Sequence, residues 1–184
     1  MPRTIFDFDP PERFVAGTVG QPGDRTFYLQ ASAGGRTVSV ALEKVQVQVL
    51  AERLEELLEN ARRGGADVPA TAGRELEDTA PLDAPVEEEF RVGTMGLAWD
   101  GERDRVVVEA LAQTTGDGGE DVEPLTDTDE GPDALRVHLT PAGARGFVRR
   151  AQRVVAAGRP PCPLCGLPLD AEGHICPRQN GHRR

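Results

Sequence analysis

The chain has 184 residues, of which 38% are hydrophobic and 28% charged, and a formal net charge of −10. That length fits one domain, or one domain with an appendage, and the composition allows only a modest core. No apolar run approaches the ~18 residues of a membrane span, and Met1-Pro2-Arg3-Thr4-Ile5-Phe6 lacks the charged-then-apolar layout of a signal peptide, so a cytoplasmic protein with no membrane association is expected. The charge is uneven. Residues 1–144 hold 29 acidic and 13 basic residues, whereas 145–184 hold eight Arg against Asp170 and Glu172. Such a body repels nucleic acid and anionic membranes, and only the tail could attract either. Lys44 is the only lysine; together with abundant Ala, Gly and Pro this reads as a GC-rich genome before it reads as function.

In chain order, Arg13–Val19 is predicted as a strand, followed by a Gln21-Pro22-Gly23-Asp24 turn and a second strand over Arg25–Ala31. Gly34-Gly35 is a two-residue hairpin signal, and Arg36–Leu42 alternates polar and apolar residues as a third strand. Residues 43–62 carry Val47, Leu50, Leu54, Leu57, Leu58 and Ala61 on one helical face, with Glu52, Glu55, Glu56 and Glu59 off it. Gly64-Gly65 ends that helix. Residues 64–86, with Pro69, Pro81 and Pro85 and no apolar period, read as a mobile linker.

The pattern then recurs. Glu88–Ala98 is a long strand, Asp100-Gly101 a turn, Arg105–Gln113 a Val-rich strand and Leu135–Leu139 a third. Residues 116–133 interrupt this unit with eight acidic residues and no basic one. Their spacing does not fit an EF-hand, and their composition marks a solvated, disordered loop. Thr140 caps a final helix with Pro141 at its first position; Ala144, Phe147, Val148, Ala151 and Val154 or Val155 form its apolar face. The stretches Val38–Leu58 and Val137–Val155 have similar strand-to-helix junctions. The expectation is an α+β fold: duplicated strand-strand-strand-helix units, 12–63 and 87–158, form a curved antiparallel sheet or half-open barrel with two helices. Residues 1–158 make this domain, and 159–184 form a C-terminal zinc knuckle.

All three cysteines lie between 162 and 176. Cys162 and Cys165 have the C-x-x-C spacing, with Pro163 stiffening the turn and Gly166 free to take a positive φ that aims amides at the sulfurs. Cys176 supplies a third thiolate, and His174 or, alternatively, His182 the fourth ligand. An odd cysteine count argues against a disulfide framework, and a redox C-x-x-C belongs between a strand and a helix, not in a Pro/Gly-rich tail. Three thiolates and one imidazole fill a tetrahedral zinc, which is the pattern of one structural Zn²⁺ rather than a catalytic one. Such an ion would fold a tail too short to build its own core.

The tail Cys162-Pro-Leu-Cys-Gly-Leu-Pro-Leu-Asp-Ala-Glu-Gly-His-Ile-Cys-Pro-Arg-Gln-Asn-Gly181, with Phe14-Val-Ala-Gly-Thr-Val-Gly20 and Phe90-Arg-Val-Gly-Thr-Met-Gly96, resembles recurring segments of an uncharacterised conserved family from Actinobacteria. The resemblance covers nearly the whole chain outside the linker 64–86 and the acidic loop 116–133. It implies no activity. It does imply a recurrent trio whose companions resemble a histidine phosphatase and a phosphoinositide kinase. The family tail does not require His at position 182, which favours His174.

No catalytic constellation emerges elsewhere. Gly17-Thr18-Val19-Gly20 lacks the ending of a phosphate loop, and no Gly-x-Ser-x-Gly elbow exists. His138, the one histidine outside the tail, reads as an ordinary polar-face residue because a general base needs partners not evident in the sequence. Arg145, Arg149 and Arg153, with Arg150 beside them, form a cationic stripe on the last helix. It suits phosphate, carboxylate or partner contact, or is a helix face satisfied by solvent or the protein's own acidic groups. The expected function is a non-enzymatic zinc-containing adaptor or regulatory protein acting through an unidentified protein partner. The alternative is an enzyme or binding protein for a phosphorylated small molecule. Nucleic-acid binding through the basic tail is weaker, since that tail has no interleaved aromatics.

Overall fold

The computed structural model describes residues 2–115, 122–158, 162–167, 169, 174 and 176–178. Seven strands and two helices alternate as β1 (Ile5–Phe8), β2 (Arg13–Val19), β3 (Thr26–Ala33), β4 (Arg36–Leu42), α1 (Lys44–Arg63), β5 (Glu88–Asp100), β6 (Arg105–Ala112), β7 (Ala134–Leu139) and α2 (Pro141–Ala156), with a short 3₁₀ turn at Arg74–Leu76. Two strand-strand-strand-helix units are present, β2–β4 with α1 and β5–β7 with α2. The similar segments at Phe14–Gly20 and Phe90–Gly96 supply the first strand of each.

All strands form one sheet in the order β1-β7-β6-β5-β4-β3-β2. The sheet is mixed, which corrects the antiparallel expectation. Within each unit the pairs are antiparallel, but β4 pairs with β5 and β1 with β7 in parallel. A parallel pair needs a crossover of about a dozen residues or more, and α1 with residues 64–86 provides the one between β4 and β5. The sheet curls without closing into a barrel. Arg36 on β4 reaches over the rings of Phe6 and Phe8 on β1, at 5.0 and 5.7 Å from their centroids. The sheet's free edges are β1 and β2, and α2 packs across the open side, contacting β2 and β7.

Alternation places Phe14, Ala16, Phe27, Leu29, Val38, Val40, Val106, Val108, Leu135 and Val137 on the face turned to the helices. Against them lie Val47, Leu50, Ala51, Leu54 and Leu58 of α1 and Ala144, Phe147, Val148 and Ala151 of α2. Phe14 and Phe147 stack with centroids 4.6 Å apart. Each fully buried Leu of this set contributes about 1.5–3 kcal/mol of burial free energy. Thr140 caps α2 as expected, accepting a 3.0 Å bond from the Gly143 amide.

The opposite face is covered by the two segments that composition assigned to linker and loop. Residues 64–86 run along α2, where Gly146 leaves room for the Leu76 carbonyl; an added Cβ would collide with that oxygen. They then pass round the β2 edge. Leu82 sits over Gly17, and Asp83 exchanges two hydrogen bonds with the buried Gln30 side chain, at 3.1 and 2.8 Å. In the second unit, Pro124 and Leu125 lie over Gly96, and the Leu125 amide donates to Glu109 at 3.0 Å. Asp127 pairs with Arg136 at 2.7 Å. The described part of the acidic interruption, 122–133, is thus packed on the sheet; 116–121 lie outside the described residues.

The linker is held by charge. Arg13 contacts Asp78 through Nε at 2.6 Å, and Arg150 reaches the carbonyls of Asp78 and Ala80 at 2.7 and 2.6 Å. The hydrogen bond from Arg13 is the main reason why the Asp78 carboxyl is held below its ordinary value of 3.8. A carboxylate depressed in the fold contributes stability above its unfolded pKa and loses it as pH falls through the folded value. Acidification below about pH 3.8 should therefore release the linker first. Amide resonances of residues 74–83 should move to unfolded positions at a higher pH than those of β6. Simultaneous loss of both sets would show that these ion pairs contribute nothing local.

Candidate metal centre

The C-terminal cluster is assembled from a short turn. Gly166, at φ +76°, donates its amide to the Cys162 carbonyl at 2.8 Å, and Cys162 donates to Leu167 O at 2.7 Å. This closes a knuckle over Cys162–Leu167 and brings both thiols to one side, which is the work a positive-φ glycine does here. The Leu164 amide points at Cys162 Sγ at 3.4 Å. Backbone amides of Cys165 and then Leu164 hold the Cys162 thiol below its ordinary value; at Cys165 the Leu167 amide pulls the same way, but burial and the neighbouring thiols push that thiol up.

Cys162, Cys165, His174 and Cys176 each offer one donor atom, and the four atoms lie within 4.8 Å of one another. Cys162 Sγ and Cys176 Sγ are 3.9 Å apart, and Cys165 Sγ is 3.3 Å from His174 Nε2. A tetrahedral ion with ~2.3 Å sulfur and ~2.0 Å nitrogen bonds has S···S edges of about 3.8 Å and S···N edges of about 3.5 Å. The donor set therefore fits one tetrahedral metal ion, and soft thiolates with one imidazole are compatible with zinc. Cys162 and Cys176 are buried, with 6% and 3% exposure. His174 Nδ1 is buried without a hydrogen-bond partner among the described residues; Nε2 is thus the nitrogen turned to the cluster. The alternative ligand, His182, lies outside the described residues.

The other singled-out residues fall elsewhere. The α2 arginines turn to the protein's own acceptors. Arg145 bonds Pro69 O at 2.9 Å and Glu59 at 3.4 Å. Arg149 and Arg153 share the Glu77 carboxylate at 2.8 and 2.6 Å. Arg150 is buried and donates to Ala16 O at 2.7 Å on the β2 edge. The stripe is therefore a clamp for residues 64–86. Sequence periodicity located the residues but not their partners, which lie 70 and more positions away. His138 Nε2 meets Asp7 at 2.9 Å, and its Nδ1 is 3.9 Å from Asp9.

Sequence reading missed a buried ionic chain. Glu109 is fully buried, pairing with Arg3 at 2.8 Å and Arg136 at 2.6 Å. Arg3 also donates to Thr126 O at 2.9 Å. The available signal was a lone Glu in the Val-rich run Arg105–Ala112, where an acidic residue needs a buried cation.

Fold and site together define a curled α+β sheet domain with a C-terminal Cys₃His centre suited to a metal ion. The chain belongs to the DUF3090 family, described as a protein of unknown function, whose match spans residues 6–176 and so runs through Cys176. No curated protein and no solved structure matches it. Among the described residues no helix is long and apolar enough to cross a membrane.

Proposed function

We propose that this is a non-enzymatic, zinc-containing adaptor or regulatory protein of an actinobacterial cytoplasm, acting through protein contacts. The observation that carries the reading is the saturated donor set. Four protein ligands leave a tetrahedral ion no position for water or substrate, so the zinc is structural. Its product is a rigid knuckle that presents Leu164 and Leu167, each 50% exposed, to solvent. Apolar side chains held rigidly outside a domain suit a protein partner. The phosphorylated-ligand alternative loses most of its residues, because Arg145, Arg149 and Arg153 are taken up by Pro69, Glu59, Ala72 and Glu77.

The first partners to test are the histidine-phosphatase-like and phosphoinositide-kinase-like companions that the family resemblance implies. Purified zinc-loaded protein should co-elute with one of them on size exclusion. Leu164→Asp with Leu167→Asp should abolish co-elution while retaining the metal. Unchanged co-elution of the double variant, or no complex with either companion, would refute this assignment.

A further inference from the structure

The open side of the sheet holds a cleft of about 190 Å³. One wall is a single face of α2, with Thr140, Gly143, Gly146, Phe147 and Arg150 at successive turns. The other wall is the start of β2 with Leu76 and Asp78 of the linker. Gly143 keeps the α2 wall low, the notch at Gly146 is filled by the Leu76 carbonyl, and the Phe14–Phe147 stack gives the cleft an aromatic floor. The two ends differ. At one, Thr140 spends its oxygen on the Gly143 amide but keeps its hydroxyl proton. At the other lies Arg150, whose side chain is only 5% exposed.

Arg150 is saturated on all but one nitrogen. Nε and Nη1 donate to Ala16 O, Asp78 O, Asp78 Oδ1 and Ala80 O. Nη2 makes no hydrogen bond among the described residues, and it is not among the sealed unpartnered atoms there. The titratable groups that line the cleft are Arg13, Arg150, Asp78, Glu12 and His138. Glu12 turns its carboxylate to the Gly34 amide at 3.2 Å, His138 pairs with Asp7 at 2.9 Å, and Arg13 is shared between Asp78 and Asp83 at 2.6 and 3.1 Å. Burial pushes the Arg150 pKa down, so an added anion would relieve a desolvated cation.

We propose that this cleft binds a small aromatic carboxylate, with the acid group on Arg150 Nη2, the ring against Phe14 and Phe147, and a polar far end at Thr140. The volume is below the roughly 300–1,000 Å³ of drug-sized sites, which limits the guest to about one ring. One spare donor group suits a carboxylate better than a phosphate dianion, and the α2 N-terminus adds little, since Pro141 has no N–H and Thr140 caps Gly143. This site is separate from the metal centre and does not depend on the adaptor reading.

The test uses full-length zinc-loaded protein and calorimetry with 4-hydroxyphenylacetate, its neutral analogue 4-hydroxyphenethyl alcohol, and inorganic phosphate. A hydrogen bond to a charged group is worth about tenfold or more in affinity, so the acid should bind at least about tenfold more tightly than the alcohol. Leu76→Trp, which adds bulk at a lining position that makes no hydrogen bond to Arg150, should weaken the acid by a similar factor, and Arg150→Gln should erase the acid's advantage. Amide shifts on binding should centre on Gly143, Gly146 and Phe147. Equal affinity for acid and alcohol, phosphate binding as tight as the acid, no saturable binding, or Leu76→Trp binding like wild type would each overturn the proposal. Since Leu76→Trp leaves the Arg150 clamp in place, it decides the matter even if Arg150→Gln fails to fold.

Discussion

Replacing Glu109 by alanine should destabilise the domain by about 3–5 kcal/mol, the usual cost of removing one partner from a buried ion pair. Glu109 is 0% exposed and pairs with Arg3 and Arg136, whose side chains are 0% and 13% exposed. Without the carboxylate, both guanidinium groups keep their desolvation cost and lose their main anion. The loss extends beyond β6. Arg3 ties β1 to the sheet and bonds Thr126 O, while Arg136 bonds Asp127 and Thr126 O. Leu125 N donates to Glu109 itself. The N-terminal strand and residues 122–130 should therefore lose amide protection together. Typical domains have about 5–15 kcal/mol in total, so urea unfolding would show the effect as a large fall in midpoint. A change under about 1 kcal/mol would mean that the triad is not closed in solution, because surface pairs contribute at that level.

The same residues explain what sequence could and could not convey. The three strands of each unit and both helices were legible, because alternation and the 3.6-residue period are local. Val47, Leu50, Leu54 and Leu58 mark the α1 face directly, and Thr140-Pro141 marks the start of α2. Strand β1 was not legible. Ile5–Phe8 is four residues long, runs into Asp9-Pro10-Pro11, and exists because β7, about 130 residues later, offers an edge. The parallel β4–β5 pair was hidden for the same reason: local patterns carry no strand direction. Residues 64–86 and 122–133 look solvated by composition. What orders them is a set of distant donors and acceptors, Arg13, Gln30 and Arg150 for one, Arg3, Glu109 and Arg136 for the other. Periodicity exposed the arginines of α2 but not that they pair with the protein's own acceptors. The metal centre was legible because its ligands fall within one short stretch, Cys162–Cys176, and thiolate chemistry restricts what that spacing can mean.

The second large effect concerns that centre. Purified without chelators, the protein should carry one zinc per chain. Cys176→Ser should abolish binding and loosen residues 162–178, since metal binding there is folding energy for a segment with little else to hold it. The sheet domain should keep its own unfolding transition, because among the described residues none of its core lies beyond Val155. His174→Ala should lower occupancy more than His182→Ala; the reverse order would move the fourth ligand to His182. If Cys176→Ser kept full zinc, the Cys₃His assignment would fail.

The most direct measurement is X-ray absorption at the zinc edge of the purified protein. The account predicts one first shell of three sulfurs at about 2.3 Å and one nitrogen at about 2.0 Å, with no further light atom. A shell with two sulfurs, or with an exchangeable water oxygen in the fourth position, would contradict a saturated structural site and with it the non-enzymatic reading.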